Sequence, residues 1–205
     1  ERTGSLVLPP LNFGYSETWA KYPGTISLRA RTFLSAVEDI CVSLVRGGFK
    51  KIFILNGHGR NPHLAKAAAD LVMEEHGKEG VEVAVATYWD LTDKSFDEIG
   101  LNWKDGSHAN EFETSLMLAL RPGLVKFDLV KDWGERYKYR EISARMDGGI
   151  IVREFPDPAR EVGIWGDPSK ASVEKGKAYF EALVEKVSDF VRKFKRGDYP
   201  DSKGG

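Results

Sequence analysis

The stretch Lys51-Ile52-Phe53-Ile54-Leu55-Asn56-Gly57-His58-Gly59-Arg60-Asn61-Pro62 decides the fold of this chain. An apolar run rich in β-branched and aromatic residues stops at two glycines, and a helical pattern then resumes at once. This order predicts a buried parallel strand over residues 51–55 that ends in a tight turn. In open α/β sheets, ligands bind at the carboxyl ends of the strands. His58 therefore stands where a ligand is expected, and its flanking glycines let that ligand approach the backbone closely.

Apolar runs and helical patterns alternate along the rest of the chain, which predicts an α/β fold with a mainly parallel sheet. We predict a single domain over residues 1–195 and a polar tail over residues 196–205. A long loop over residues 12–27 is of the kind that usually carries function. The predicted strands cover residues 6–8, 51–55 and 81–88, the predicted helices cover 30–45, 62–76, 107–120 and 172–194, and residues 124–168 are predicted to hold loops, one short hairpin and a tight turn at 163–168.

The composition is that of an ordinary globular protein. Of 205 residues, 41% are hydrophobic and 30% are charged, and the formal net charge is -1. This balance excludes the basic surface that attracts nucleic acids and anionic membranes, so we expect neither as a partner. No apolar run approaches the roughly 20 residues that span a bilayer. The single cysteine, Cys41, falls on the apolar face of a predicted helix, which argues against disulfides and favours a reducing, cytoplasmic location.

A second informative stretch, residues 105–115, contains a histidine and a carboxylate at helical spacing. The glycine-containing turn before it predicts a helix over residues 107–120, with Ser107 as its N-cap. On such a helix His108 and Glu111 are three residues apart and share one face. A neighbouring imidazole and carboxylate can ligate a metal or act as an acid and base pair. The free N–H groups of a helix start also suit an anionic or carbonyl-bearing ligand.

Both motifs also have a purely structural interpretation, and the sequence leaves the two interpretations open. A single histidine in a loop is more often hydrogen bonded than ligating, and Asp105 or Ser107 can serve simply as a helix cap. We assign His63 and His76 to structure, since a histidine near a helix end complements the helix dipole. The aromatic residues of the loops can pack in the core or line a pocket: Tyr15, Trp19, Trp89 and Trp103.

Five segments of the chain together carry a family resemblance. They are Asn56–Asn61, His108–Ser115, Gly163–Lys175, Pro9–Ser16 and Pro23–Ser27. The third leads through Gly-Asp-Pro into Glu-Lys-Gly, and the last two are similar to a first active-site loop. In this order, and over most of the chain, the segments resemble the motifs of the creatininase family.

The resemblance implies a metal-dependent amidohydrolase with a three-layer α/β/α fold and a mainly parallel central sheet. Such proteins commonly assemble as hexamers and cleave non-peptide carbon–nitrogen bonds, so we expect a small-molecule substrate and a homo-oligomer. A pair of divalent ions, of Zn, Mn or Fe, is also implied. By position in the motifs, His58 would be a metal ligand. Ser16 and Asp105 would contact substrate, while His108 would bind substrate and transfer a proton.

Two positions depart from the family pattern within the presumed site. Members that hydrolyse creatinine carry a glutamate two residues after the ligand histidine, where this chain has Arg60. We therefore expect Glu111 to act as a second-metal ligand or as the general base, and we do not expect creatinine as the substrate. Asn110 replaces the usual glycine of the family and is expected to narrow the pocket beside the metal.

A further departure concerns the N-terminal motifs of the family. Family members carry a Glu-x-His and a metal-bridging aspartate ahead of the first motif found here, so we expect this chain to be a fragment or an incomplete gene product. His58 and Glu111 alone fall short of the three ligands that usually hold a catalytic zinc. The alternative function is therefore an inactive or truncated family member that binds a small ligand or serves as an assembly subunit. A nucleotide-binding domain is disfavoured, because the glycines around His58 match neither G-x-G-x-x-G nor a P-loop.

Overall fold

Helices and strands alternate in the order that the sequence predicts for an α/β fold. The computed structural model describes residues 2–92, 98–100, 106–130, 145–146, 150–151 and 164–198. Within these ranges the helices are α1 (Ala30–Arg46), α2 (Pro62–His76), α3 (Glu111–Leu120) and α4 (Val173–Arg196), and the strands are β1 (Lys51–Asn56), β2 (Glu82–Thr87), β3 (Gly106–His108), β4 (Arg145–Met146), β5 (Ile150–Ile151) and β6 (Trp165–Gly166).

The described residues group into two compact units. One unit contains those within 2–17, 26–91 and 184–198, and the other contains those within 18–25 and 92–183. The last helix, α4, contributes its C-terminal half to the first unit and its N-terminal half to the second. Assignment of residues 1–195 to one domain remains a prediction.

Strands β1 and β2 form the parallel pair of the first unit. They run in register from Lys51 opposite Glu82 to Asn56 opposite Thr87. The first of these pairs is also an ion pair, with 2.8 Å between Lys51 Nζ and Glu82 Oε2. A parallel pair requires a crossover, and α2 supplies it between the two strands. The strands and helix predicted around the Gly-His-Gly turn are thus confirmed.

The first unit has helices on both faces of this strand pair. Ile52 points to one face, where it joins a buried cluster with side chains of α1 and α2. Phe53 points to the other face and meets Phe190 of α4, with 4.7 Å between the ring centroids. Strand β1 is less buried than predicted, because Leu55 is 48% exposed and only β2 pairs with β1 among the described residues.

The core of the first unit follows the helical period of the sequence. In α1 the buried residues recur every four positions, and in α2 small alanines let the two helices pack closely. Gly48 follows the C-terminal end of α1 and has φ of 89°, a conformation that glycine adopts without strain. The buried cluster consists of Phe33, Val37, Cys41, Val45, Ile52, Ala65, Ala68, Val72 and Val81.

One predicted element is wrong, and another begins later than predicted. Residues 6–8 form no strand, and Val7 is 91% exposed, because no neighbouring strand among the described residues pairs with this segment. The helix predicted over residues 107–120 begins only at Glu111, since Gly106–His108 pairs instead with Trp165–Gly166 as an antiparallel strand. The turn predicted at 163–168 accordingly contains strand β6.

The remaining described elements agree with the sequence. Strands β4 and β5 pair antiparallel, as the short hairpin predicted between residues 124 and 168 requires. Helix α4 follows Ser172, whose Oγ accepts the N–H of Lys175 at 3.2 Å as an N-cap does. None of the helices in the described ranges is long and apolar enough to cross a membrane.

Candidate functional site

The side chain of Asn56 holds the turn that follows β1. Its Nδ2 donates to the carbonyl oxygen of His58 at 2.8 Å and to Oγ1 of Thr87 at 3.2 Å. Its Oδ1 accepts the backbone N–H of His58 at 3.2 Å. Asn56 thus makes an Asx-type turn and ties it to the last residue of β2. The backbone of His58 is thereby fixed to the ends of both parallel strands.

The His58 imidazole is half-buried at this strand end, and its Nε2 atom is shielded from solvent. Burial lowers the pKa of His58, and the nearby charge of Arg60 lowers it further. Both effects favour the neutral imidazole, which is the form that ligates metals. The next residue, Gly59, lies against an aromatic side chain, since a Cβ there would be 3.9 Å from the Trp89 ring. Trp89 therefore lies beside the turn, and whether it lines a pocket stays a prediction.

The loop that carries Ser16 is joined to the helix start that follows His58. Asn61 Oδ1 accepts the backbone N–H of Tyr15 at 2.9 Å. Asn61 also lies close to Gly14, since a Cβ there would be 2.7 Å from its Nδ2. The N–H of Ser16 donates to Oγ of Ser27 at 2.9 Å, which closes the loop. The first unit therefore brings the loop of Ser16 to the turn of His58.

In the second unit His108 lies on a strand and not on a helix. It ends β3, opposite Trp165 of β6. The prediction that His108 and Glu111 share one helix face is therefore wrong, and so is the assignment of Ser107 as the N-cap. Strand pairing between β3 and β6 outweighs the local helical pattern here. Asp105 and Trp103 lie outside the described residues.

A capped turn links His108 to α3. Ala109 has φ of 51°, a left-handed conformation that reverses the chain between the strand and the helix. Asn110 is the actual N-cap, because its Oδ1 accepts the N–H of Glu113 at 3.2 Å. Glu113 reciprocates by accepting the N–H of Ala109 at 2.6 Å, and burial raises the pKa of Glu113. Asn110 thus starts the helix, while its expected narrowing of the pocket beside the metal stays a prediction.

An aromatic side chain supports the His108 ring. The Trp19 ring stands edge-on to it, with 4.4 Å between centroids and 77° between planes. Trp19 belongs to the long loop and also contacts Tyr22, with 5.5 Å between centroids. The imidazole thereby gains an apolar wall on one side. Of the aromatic residues proposed to line a pocket, Trp19 lies next to His108 and Trp89 next to the His58 turn.

Glu111 is a buried carboxylate with a cationic partner. It is 3% exposed, and its Oε1 accepts a hydrogen bond from Lys175 Nζ in a salt bridge. Burial of a carboxylate is costly unless a charge and hydrogen bonds compensate it, and Lys175 provides both. Among the described residues, no three His, Cys, Asp or Glu side chains are grouped so as to hold a metal ion.

Reasoning from sequence missed three residues of these two regions. Lys175 falls in the Glu-Lys-Gly segment, and a lysine in the first turn of a helix, which opposes the helix dipole, is a usable signal of a special role. Asn56 and Asn61 flank the Gly-His-Gly turn, where asparagine is the residue that typically caps backbone N–H groups. Their partners lie 31 and 46 residues away, and no local pattern identifies them.

Comparison with known proteins identifies the family. The family model for creatininase, described as creatinine amidohydrolase, matches residues 1–191. A creatinine amidohydrolase of Pseudomonas putida is 34% identical over 209 residues, which cover 94% of this chain and 76% of the relative. A mycofactocin precursor peptide peptidase of Mycolicibacterium smegmatis is 27% identical over 98% of this chain and 70% of its own length.

A solved structure agrees with these sequence matches. A Zn–Zn form of a mutant creatininase superimposes with a TM-score of 0.75 at 32% identity, covering 94% of this chain and 76% of that one. The expected three-layer α/β/α fold is thereby confirmed. The expectation that the chain belongs among hydrolases of C–N bonds is confirmed as well. The chain belongs to the creatininase family.

Proposed function

We propose that this protein is a metal-dependent amidohydrolase that cleaves a non-peptide C–N bond, in an amide, lactam or formamide, of a small molecule. Family membership supports the general reaction. The observation that carries the proposal is the turn after β1, where Asn56 fixes a half-buried His58 whose lowered pKa favours a metal-ligating imidazole. The relatives act on chemically different molecules, so the substrate is proposed only as a class.

The proposed roles follow the positions of the residues in the family motifs. His58 holds a divalent metal and Ser16 contacts the substrate. His108 binds the substrate and moves a proton, while Asp105 contacts the substrate. Glu111 is either a second-metal ligand or the general base, and its ion pair with Lys175 is compatible with a carboxylate that serves as base.

The chemistry of an amide defines what these residues have to do. An unactivated C–N bond needs a nucleophile stronger than water and a proton for the departing nitrogen. A divalent metal supplies the first requirement, since it polarises a carbonyl and lowers the pKa of water to about 7. His108 supplies the second, because its imidazole can donate a proton to the leaving nitrogen while the Trp19 ring limits its orientation.

The donor set constrains the metal only in part. The shielded Nε2 of His58 fits Zn, Mn or Fe, each of which accepts imidazole and carboxylate ligands. We propose a pair of ions in the complete site, with the ligands beyond His58 coming from Glu111 and from residues that the described ranges do not bring together. We also propose a hexameric assembly, as the family resemblance implies. We propose a cytoplasmic location as well, which the free, buried thiol of Cys41 supports.

The test combines metal analysis with variants of three histidines. The purified protein is assayed for bound metal and against a panel of cyclic amides, lactams and formamides. We expect bound Zn, Mn or Fe and hydrolysis of at least one compound. His58→Ala should lose both metal and activity, whereas His108→Ala should keep the metal and lose about 10²- to 10⁴-fold in kcat. The matched control is His63→Ala, since His63 is exposed at the start of α2.

Two results would contradict the proposal. Full activity after removal of the metal would exclude the proposed mechanism. A metal-free protein that hydrolyses nothing in the panel would favour the alternative, a non-catalytic member that binds a small ligand or acts as an assembly subunit.

A further inference from the structure

Lys175 is half-buried and forms an ion pair with the buried carboxylate of Glu111. Lys175 lies in the first turn of α4, where the positive end of the helix dipole disfavours a cation. Glu111 opens α3, where the same effect favours a carboxylate. Helix preference therefore explains Glu111 but does not explain Lys175. The ion pair with Glu111 accounts for a lysine at this position of the helix.

Backbone contact between α3 and α4 brings the two charges together. A Cβ on Gly176 would lie 1.9 Å from the carbonyl oxygen of Ser115, so the helices cross where only a glycine fits. The N–H of Ser172 donates to Oγ of the same Ser115 at 3.1 Å. Lys175 Nζ also donates to the carbonyl oxygen of Lys170 at 3.3 Å, which limits where the ammonium can go. The lysine is thus held by its own loop, by its helix and by Glu111.

The ion pair lies between two chain segments, β3–α3 and β6–α4, which contact each other through their strands and again through their helices. Strand β3 leads into α3 and strand β6 leads into α4, and the strands pair as the helices do. His108 ends β3, three residues before Glu111. Any shift of α3 relative to α4 therefore reaches His108 through only Ala109 and Asn110. Because Asn110 caps α3 and Ala109 is left-handed, this short link has little freedom to absorb such a shift.

We infer that Lys175 is a positioning residue, which fixes the Glu111 carboxylate and, through the start of α3, the orientation of the His108 imidazole. The inference rests on the proposed function for its effect on catalysis. Its effect on the geometry of His108 stands independently of any activity. Lys175 is not assigned contact with the substrate.

The test uses Lys175→Met, Lys175→Arg and the double variant Glu111→Gln/Lys175→Met. The exposed Lys177, two residues further along α4, supplies the control Lys177→Met. The first readout is kcat and KM on whichever panel compound is hydrolysed. The second is the imidazole NMR signal of His108, assigned by its loss in His108→Ala among the four histidines of the chain.

We expect Lys175→Met to lower kcat on the order of tenfold to a hundredfold, which is the scale of a small misplacement in a catalytic group. KM should change by less than about threefold, because substrate binding is not the property affected. The His108 signal should move in Lys175→Met and return towards its wild-type position in Lys175→Arg. Lys177→Met should leave both readouts unchanged.

If Lys175→Met fails to fold, the double variant still tests the inference, because it removes both charges of the pair and leaves no unpaired carboxylate in the interior. We expect it to fold and still to show a displaced His108 signal. In Lys175→Met, an unmoved signal with kcat within about twofold of the wild type would overturn the inference, even if stability fell. In the double variant, which lacks the Glu111 carboxylate, the His108 signal is the only readout, and an unmoved signal there would likewise overturn the inference. If the wild-type protein hydrolyses nothing, the proposed function fails, while the His108 signal still decides whether Lys175 positions that ring.

Discussion

At the scale of single residues, polar side chains decide where the chemistry lies. Asn56 ends an apolar strand, yet its amide makes three hydrogen bonds that define the His58 turn. Asn110 and Glu113 do the same for the chain between His108 and α3. Each of these residues meets backbone groups that would otherwise lose their hydrogen bonds on burial. The candidate histidines are therefore held by neighbours whose own role is structural.

The buried phenol of Tyr179 should make the stability of the fold depend on pH. Its side chain is fully buried, and its hydroxyl is 3.0 Å from Oγ1 of Thr92. Burial raises the pKa of Tyr179 to about 12, with the hydrogen bond to Thr92 acting against this shift and the charge of Glu113 adding to it. Above pH 10 an unfolded tyrosine loses its proton while the folded one keeps it, so stability falls as the pH rises from about 10 to 12.

We expect Tyr179→Phe to lack this component of the alkaline loss, which amounts to about 2 to 3 kcal/mol. At neutral pH the same variant should lose about 1 kcal/mol with the Thr92 hydrogen bond. Urea unfolding at several pH values from 8 to 11.5 measures both effects, and Tyr15→Phe is the control. A parallel alkaline decline in wild type and Tyr179→Phe would show that the phenol is not the group responsible.

At the scale of elements, the junction between β3 and α3 shows the limit of local patterns. The periodicity after residue 105 predicts one helix, but the pairing of β3 with β6 takes Gly106–His108 out of it. Helices α1 and α2 are predicted correctly because their apolar spacing and their end residues, Gly47 and Pro62, agree with their packing.

Substitution of the N-cap residue Asn110 tests whether α3 starts at Glu111. We expect Asn110→Ala to lower the free energy of unfolding by about 1 kcal/mol, because the N–H of Glu113 loses its acceptor. Asn110→Ser should lose less, since serine also caps. If Ser107 were the cap, Ser107→Ala would instead carry the loss, and urea unfolding of the three variants separates the two assignments.

The close crossing of α3 and α4 should make the protein sensitive to any side chain at Gly176. Gly176→Ala places a methyl group 1.9 Å from the Ser115 carbonyl oxygen, and backbone cannot move aside as a flexible side chain can. We expect a loss of at least about 1 to 3 kcal/mol in the free energy of unfolding. Gly123→Ala is the control, because nothing lies within 4 Å of the added methyl group there. Equal stability of the two variants would exclude the tight crossing.

At the scale of the molecule, the first unit has the layers that an α/β fold needs. Its parallel pair has α1 and α2 on one face and the end of α4 on the other. Strand ends in such folds are exposed at one edge of the sheet, and His58 lies at that edge. A ligand that binds there stabilises the folded state by mass action.

Metal binding should therefore raise the melting temperature. At a free metal concentration about a hundred times the dissociation constant, the gain is about 2.7 kcal/mol, or roughly 5 to 10 °C for a chain of this size. We expect Zn or Mn to produce this shift in the wild type and in His63→Ala but not in His58→Ala, measured by scanning calorimetry after chelation. An equal shift in His58→Ala would place the metal elsewhere.

The sequence by itself determined the fold class, the helices and strands around the Gly-His-Gly turn, and the family, because apolar periodicity and short motifs are local properties of a chain. Tertiary structure alone decided the start of α3, the strand that carries His108, and the pairing of Glu111 with Lys175, 64 residues away. These features depend on which strands pair and on how closely two helices cross. Such long-range contacts can outweigh local preference, and no local pattern encodes them.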